Sequence, residues 1–165
     1  MNNELSRYVN QKNEIKKGES FCGSACVAMI AGQEPQDVAD KIGSTADDAK
    51  LVDYLENEGW KCIKIDDGGS EKSKWAYEPN AKTFSSMKNS LDSGKFILYH
   101  WAGWDGKSAG HYSVCTGYEK KEFIFSDPAG DRNKGYFGKS DEGKNVHYSE
   151  DTLKKAGIKR LFSVE

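Results

Sequence analysis

No apolar run in this sequence is long enough to cross a membrane. The longest, Cys26-Val-Ala-Met-Ile-Ala31, falls far short of the roughly 18 residues that a spanning helix requires. The opening MNNELSRYVNQKNE holds no apolar core of a secretory leader, so no membrane span and no classical signal are expected. An excess of either charge is missing as well. Lysine plus arginine number 24 and aspartate plus glutamate 26, a balance that offers neither the basic footprint of a nucleic-acid binder nor an attraction for anionic membranes. Cysteine is sparse, and Cys22, Cys26, Cys62 and Cys115 are too scattered for a disulfide framework, which fits a reducing compartment or thiols kept for chemistry. Neither a second close cysteine pair nor a His-x-x-x-His spacing accompanies Cys22 and Cys26, so no metal site and no cofactor are expected.

What is present is a chain of 165 residues, near the usual size of one domain, and it is read as a single domain over 1–165. Hydrophobic residues are 36% and charged residues 30%, but the apolar ones gather in short periodic runs with 12% aromatics, as in a folded protein with a very polar surface.

Residues 1–20 read as a polar, loop-like approach. From Cys22 to Ala31 nearly every position is small or apolar, which predicts a helix buried all round, closed by Gly32. Pro35 suits the first turn of a short helix to Ile42. Asp47 and Asp48 open the next helix, with Leu51, Val52 and Leu55 on one stripe before Gly59. Trp60 to Ile65 predicts a strand. Asp66 to Asn80 reads as a solvated loop pinned by Trp75 and Tyr77, with a substrate-side flap as the alternative. A helix over Thr83–Ser93 follows, then strands over Lys95–Trp101, His111–Tyr118 and Glu122–Ser126, the last two forming a hairpin. A glycine-rich stretch to about Asn145 has room for one more strand, Ser149 caps a helix to Ala156, and Ile158–Val164 is a closing strand. The order is α+β: helices first, then an antiparallel sheet.

Cys22 stands where the polar approach meets the buried helix. A thiol at a helix N-terminus feels the positive end of the dipole, and Gly23, Ser24 and Ala25 leave space for a substrate. The structural alternative is an ordinary small buried residue. A thiol nucleophile needs a base and a group to orient that base. Pairing Tyr118 with Lys121 sets His111 opposite Pro128, and a neighbouring register sets it opposite Asp127. Either way His111 and Asp127 share one end of adjacent strands, and Pro128, by ending the ladder, would leave the acid exposed at the rim. Taken singly, Asp127-Pro-Ala-Gly130 is an ordinary turn and His111 a strand-end histidine. His100 receives no carboxylate from strand pairing and is read as packing beside Trp101; His147 lies in a polar stretch and is read as exposed.

Cys22-Gly-Ser-Ala-Cys-Val-Ala-Met-Ile30, Gly110-His-Tyr-Ser-Val114 and Ser126-Asp-Pro-Ala-Gly130 together resemble the C39-like branch of the papain-like cysteine peptidases. The resemblance runs in motif order from about Gln11 to Gly130. It implies a papain-like fold in which N-terminal helices, with the nucleophile helix at their centre, pack on an antiparallel sheet. It also implies a triad of Cys22, His111 and Asp127, with Gln11 helping to bind the oxyanion although its gap to the cysteine is longer than in the bacteriocin-processing members. The transporter domains of those members are not in this sequence.

The expectation is therefore a cysteine peptidase or amidase working by acyl transfer through a thioester. Compatible substrates are a protein or peptide bond, a peptidoglycan amide, or a glutamine side chain to be deamidated or cross-linked. Alternatives are a non-catalytic binding module on the same fold and a weaker thiol redox role for Cys22 and Cys26. By analogy the chain suits a bacterial toxin or effector domain, cytoplasmic as made or delivered without a signal peptide, and held by an inhibitor or immunity protein.

Overall fold

Asn10 starts the first helical turn, its side-chain oxygen accepting from the N–H groups of Lys12 and Asn13, and α1 (Gln11–Glu14) follows. This computed structural model describes residues 1–65, 70–73, 76–102, 110–135 and 142–165. A 3-10 turn at Gly18–Ser20 then delivers the chain into α2 (Cys22–Ala31). Residues 23–30 of α2 are all buried, as a helix without a polar face must be, and Gly32 closes it in the left-handed conformation at φ 66°. α3 (Pro35–Ile42) buries Val38 and Ala39. α4 (Asp48–Asn57) is capped by Asp47, which accepts from the Lys50 N–H, and buries Leu51 and Leu55.

The strands are β1 (Cys62–Lys64), β2 (Ser70–Ser73) and β3 (Ala76–Glu78), then β4 (Phe96–Trp101), β5 (His111–Glu119), β6 (Glu122–Ser126), β7 (Val146–Ser149) and β8 (Ile158–Val164). α5 (Ala81–Asp92) stands between β3 and β4, opened by a capping box between Asn80 and Thr83. α6 (Glu150–Ala156) stands between β7 and β8, capped by Ser149. Every pairing is antiparallel, in the order β2-β3-β8-β4-β5-β6-β7, with β1 also on β8.

Side-chain alternation divides the core between the two faces of this sheet. Leu98, Tyr112, Val114 and Val164 pack with α2, α3 and α4. Ile97, Tyr99, Trp101, Cys115, Phe123, Phe125, Val146 and Tyr148 pack with Phe84, Met87 and Leu91 of α5 and Leu153 of α6. At about 25 cal/mol per Å² of apolar surface, burial on this scale is the main stabilising term on both sides.

The structure corrects three expectations. The approach over 1–20 carries α1 and the 3-10 turn, both too short for periodicity to register. The stretch read as a solvated loop holds the β2–β3 hairpin, with Tyr77 paired to Ile158; its polar, charged composition is that of an edge ribbon, which sequence alone reads as loop. Trp75 lies outside the described residues, as does 136–141 of the glycine-rich stretch. In the β5–β6 hairpin Glu119 pairs with Glu122, with Lys120 at φ 56°, and the register slips by one between Cys115 and Gly117. The expected pairings of His111 are thus not made, because the turn and the bulge displace the register and the ladder ends at Val114 and Ser126.

Candidate active site

Cys22 is the first residue of α2, and the turn before it is fixed by close backbone packing. A Cβ at Gly18 would lie 1.7 Å from the Gln11 carbonyl oxygen, so only glycine fits there. The Cys22 thiol lies close enough to the His111 imidazole and to the backbone N–H groups of Tyr112 and Gly23 for all three to favour its ionised form. Burial works against the thiolate, but these contacts and the imidazole charge outweigh it, and the thiol is held below the ordinary range.

His111 begins β5 and is 4% exposed. Its Nε2 lies 2.8 Å from Asp127 Oδ1, which leaves the other ring nitrogen for the thiol. Burial alone would depress this imidazole. The charge and hydrogen bond of Asp127, together with Cys22, reverse that and raise it to about 9. A lowered thiol beside a raised imidazole is the setting for a thiolate–imidazolium pair near neutrality.

Asp127 is fully buried, not exposed at a rim as expected, because side chains and backbone from three directions cover it. Oδ1 accepts from His111 and from the Ala129 N–H at 3.0 Å, and Oδ2 accepts from the Tyr148 hydroxyl at 2.8 Å. Its backbone is gripped as well: the N–H donates to the Gly143 carbonyl at 2.8 Å, and the carbonyl accepts from the Tyr8 hydroxyl at 2.6 Å. A Cβ at Gly143 would lie 2.0 Å from the Asp127 carbonyl oxygen, so the strand end and the following turn touch backbone to backbone. Tyr148, Tyr8 and Gly143 were not legible as site residues; phenols and a loop glycine carry no spacing that announces them.

Gln11 is buried beside the same strand end, its N–H donating to the Pro128 carbonyl at 2.9 Å. Its side-chain Nε2 donates to the carbonyls of Gly18 at 2.9 Å and Glu19 at 3.0 Å. In this arrangement both amide hydrogens brace the turn before Cys22. Cys26 lies one turn deeper in α2, fully buried, with its thiol pushed well up by burial and by the charges of Cys22 and Asp127. His147 sits on β7 with Nδ1 3.7 Å from Glu122 Oε1.

His100 departs from its expected role. It faces away from Trp101, stacks on Tyr112 with ring centroids 4.1 Å apart, and sets Nδ1 2.8 Å from Asp48 Oδ1. Strand pairing did not place this carboxylate because it comes from a helix on the covering layer. Among the described residues, no group of three His, Cys, Asp or Glu side chains is placed to hold a metal ion.

The model of the peptidase C39-like family matches residues 6–155. The chain belongs to that family. Solved structures agree on the fold. The double glycine motif protease from an AMS/PCAT transporter, crystallised with its leader peptide, superposes with a TM-score of 0.57 at 15% identity, covering 98% of this chain and 93% of that one. The peptidase domain of Streptococcus ComA gives 0.60 at 16% identity, covering 96% of each chain. The peptidase domain of Streptococcus mutans ComA gives 0.55 at 14%, covering 96% and 98%. No curated protein sequence gives a match. The fold of this C39-like protein is therefore papain-like, and membership supports a cysteine peptidase. No helix among its described residues is long and apolar enough to cross a membrane.

Proposed function

We propose that this C39-like protein is a cysteine peptidase acting through a triad of Cys22, His111 and Asp127. The observation that carries the reading is the His111 imidazole, 2.8 Å from Asp127 Oδ1 and close enough to Cys22 for each to shift the ionisation of the other. The Cys22 thiolate attacks the carbonyl carbon of an amide, and the negative charge passes to the carbonyl oxygen. His111, as imidazolium, gives its proton to the leaving nitrogen as the C–N bond breaks, and a thioester remains. A water molecule then loses a proton to His111 and attacks the thioester; the C–S bond breaks, the acid leaves and Cys22 is restored. Asp127 fixes the ring orientation and steadies the imidazolium.

The oxyanion is met by the backbone N–H of Cys22, one of the unpaired donors of the first turn of α2, and by Gln11 once one of its amide hydrogens exchanges a turn carbonyl for the substrate oxygen. A peptide amide is the substrate class favoured here, supported by the leader peptide bound to one similar structure. Residues 1–165 are proposed to act as one papain-like unit. Action as a delivered toxin held by an inhibitor is a further proposal, tested by whether toxicity on expression disappears with Cys22→Ala.

The deciding experiment incubates a mixed peptide pool with wild type, Cys22→Ala and His111→Ala and counts new peptide termini by mass. Cleavage by the wild type alone is expected. Ammonia released from glutamine peptides without new termini would replace peptidase with deamidase. No turnover, with a partner bound equally by Cys22→Ala, would make the protein a binding module.

A further inference from the structure

Asp48 ties three neighbouring strands together. Arg160 of β8, His100 of β4 and Tyr112 of β5 stand side by side across the sheet, His100 paired with both of the others. The Asp48 carboxylate, from the first turn of α4, lies over all three. Oδ1 accepts from the Tyr112 hydroxyl and lies 2.8 Å from His100 Nδ1, and Oδ2 accepts from Arg160 at 2.8 Å. Its side chain is 13% exposed. Other charged groups around this row are Asp47, near the Tyr112 phenol, Lys159, whose Nζ approaches Gly110 beside His100, and Lys64, which lines one surface pocket with Asp48 and Arg160.

Tyr112 joins this row to the chemistry. It follows His111 directly, and its own N–H lies close enough to the Cys22 thiol to favour the ionised form. The β5–β6 ladder stops at Val114 and Ser126, so from His111 to Ser113 β5 is paired with β4 alone. One face of this half-supported stretch is pinned by the Trp101 indole N–H donating to Ser113 Oγ at 2.6 Å. Asp48 pins the other face through the Tyr112 phenol.

We propose that Asp48 is a positioning residue for the Cys22–His111 couple, holding Tyr112 so that the start of β5 presents its N–H and the His111 imidazole to the thiol. This rests on the triad reading and adds a second carboxylate, outside the triad. Asp48 is placed against His100, Tyr112 and Arg160 rather than against Cys22 or His111; it acts through Tyr112.

The test is the rate of iodoacetamide alkylation of Cys22 against pH, read by peptide mass, in wild type, Asp48→Asn, Tyr112→Phe and His111→Ala, with urea unfolding of each. Positioning predicts that Asp48→Asn and Tyr112→Phe both move the Cys22 titration upward by about one pH unit, which slows alkylation about tenfold on the acid side. The sign is diagnostic, because removing a nearby negative charge without moving anything would favour the thiolate. A wild-type profile in both variants overturns the proposal. If Asp48→Asn does not fold, Tyr112→Phe decides alone, since it removes one oxygen and leaves the ring in place. If His111→Ala also alkylates like the wild type, the couple itself is absent and both readings fall; if His111→Ala loses its reactivity while the other two keep it, only the role of Asp48 falls.

Discussion

The Tyr148 hydroxyl donates to Asp127 Oδ2 at 2.8 Å, on the oxygen that the His111 imidazole does not use. A fully buried carboxylate is tolerable only when its acceptors are filled, and Tyr148 fills the one that His111 leaves over. Tyr148→Phe keeps the ring, which packs edge-on to Trp101, and orphans that oxygen. Urea unfolding is expected to show a loss of about 1–3 kcal/mol, and kcat/KM on a cleaved peptide is expected to fall in the same variant. An unchanged unfolding midpoint would mean that Oδ2 finds another donor.

The pH profile follows from the two shifts around the couple. The thiol is held below its ordinary range and the imidazole is raised to about 9, so a thiolate–imidazolium pair is expected between those two points. Activity should rise on the acid side below the ordinary thiol value and fall on the basic side near 9. Asp127→Asn removes the charge that raises His111, so the basic limb should move down and the rate should drop by orders of magnitude. A profile still rising at pH 10 in the wild type would contradict the pair.

Gln11→Ala separates two jobs of one side chain. Loss of an oxyanion donor is expected to lower kcat by about a hundredfold while Cys22 alkylates at the wild-type rate. If alkylation changes in parallel with kcat, the amide serves the turn at Gly18 and Glu19 alone.

Asp48 bears on acid stability through proton linkage. Burial opposes its ionisation, but His100, Tyr112 and Arg160 prevail and hold it down at about 2. A depressed carboxylate contributes stability that is complete above its unfolded value of about 4 and is lost as pH falls through about 2. Asp48→Asn should therefore show a shallower decline in urea-unfolding free energy between pH 5 and pH 2 than the wild type. Equal slopes would show that Asp48 has the same affinity for protons folded and unfolded.

How much of this was legible in the sequence depends on the distance over which each contact acts. The bounds of α2 and α3 follow from local signals, an uninterrupted small and apolar run and a proline at a helix start, and the structure reproduces them. The proximity of His111 to Asp127 was legible because both lie on one hairpin, although the turn set the register two residues off and the bulge at Thr116 took back only one. Asp48 shows the limit. An aspartate at a helix start already has a local explanation in the dipole, so nothing in the pattern marks it as the partner of a histidine and an arginine paired across two neighbouring strands. Tyr8 and Tyr148 were missed for the same reason, since a phenol aimed at the backbone carbonyl or the carboxylate of a buried aspartate looks like any other aromatic until the chain is folded.

β8 is the last strand in sequence but lies inside the sheet, between β4 on one side and β1 and β3 on the other. During synthesis, the helices that carry Cys22 and Asp48 emerge long before the strand that joins the two halves of the sheet and brings Arg160. Long-range pairing of this kind forms late and slowly. A growing chain thus holds Cys22 without His111 or Asp127 at first, and the order of translation delays completion of the Asp48 row until Arg160 has left the ribosome.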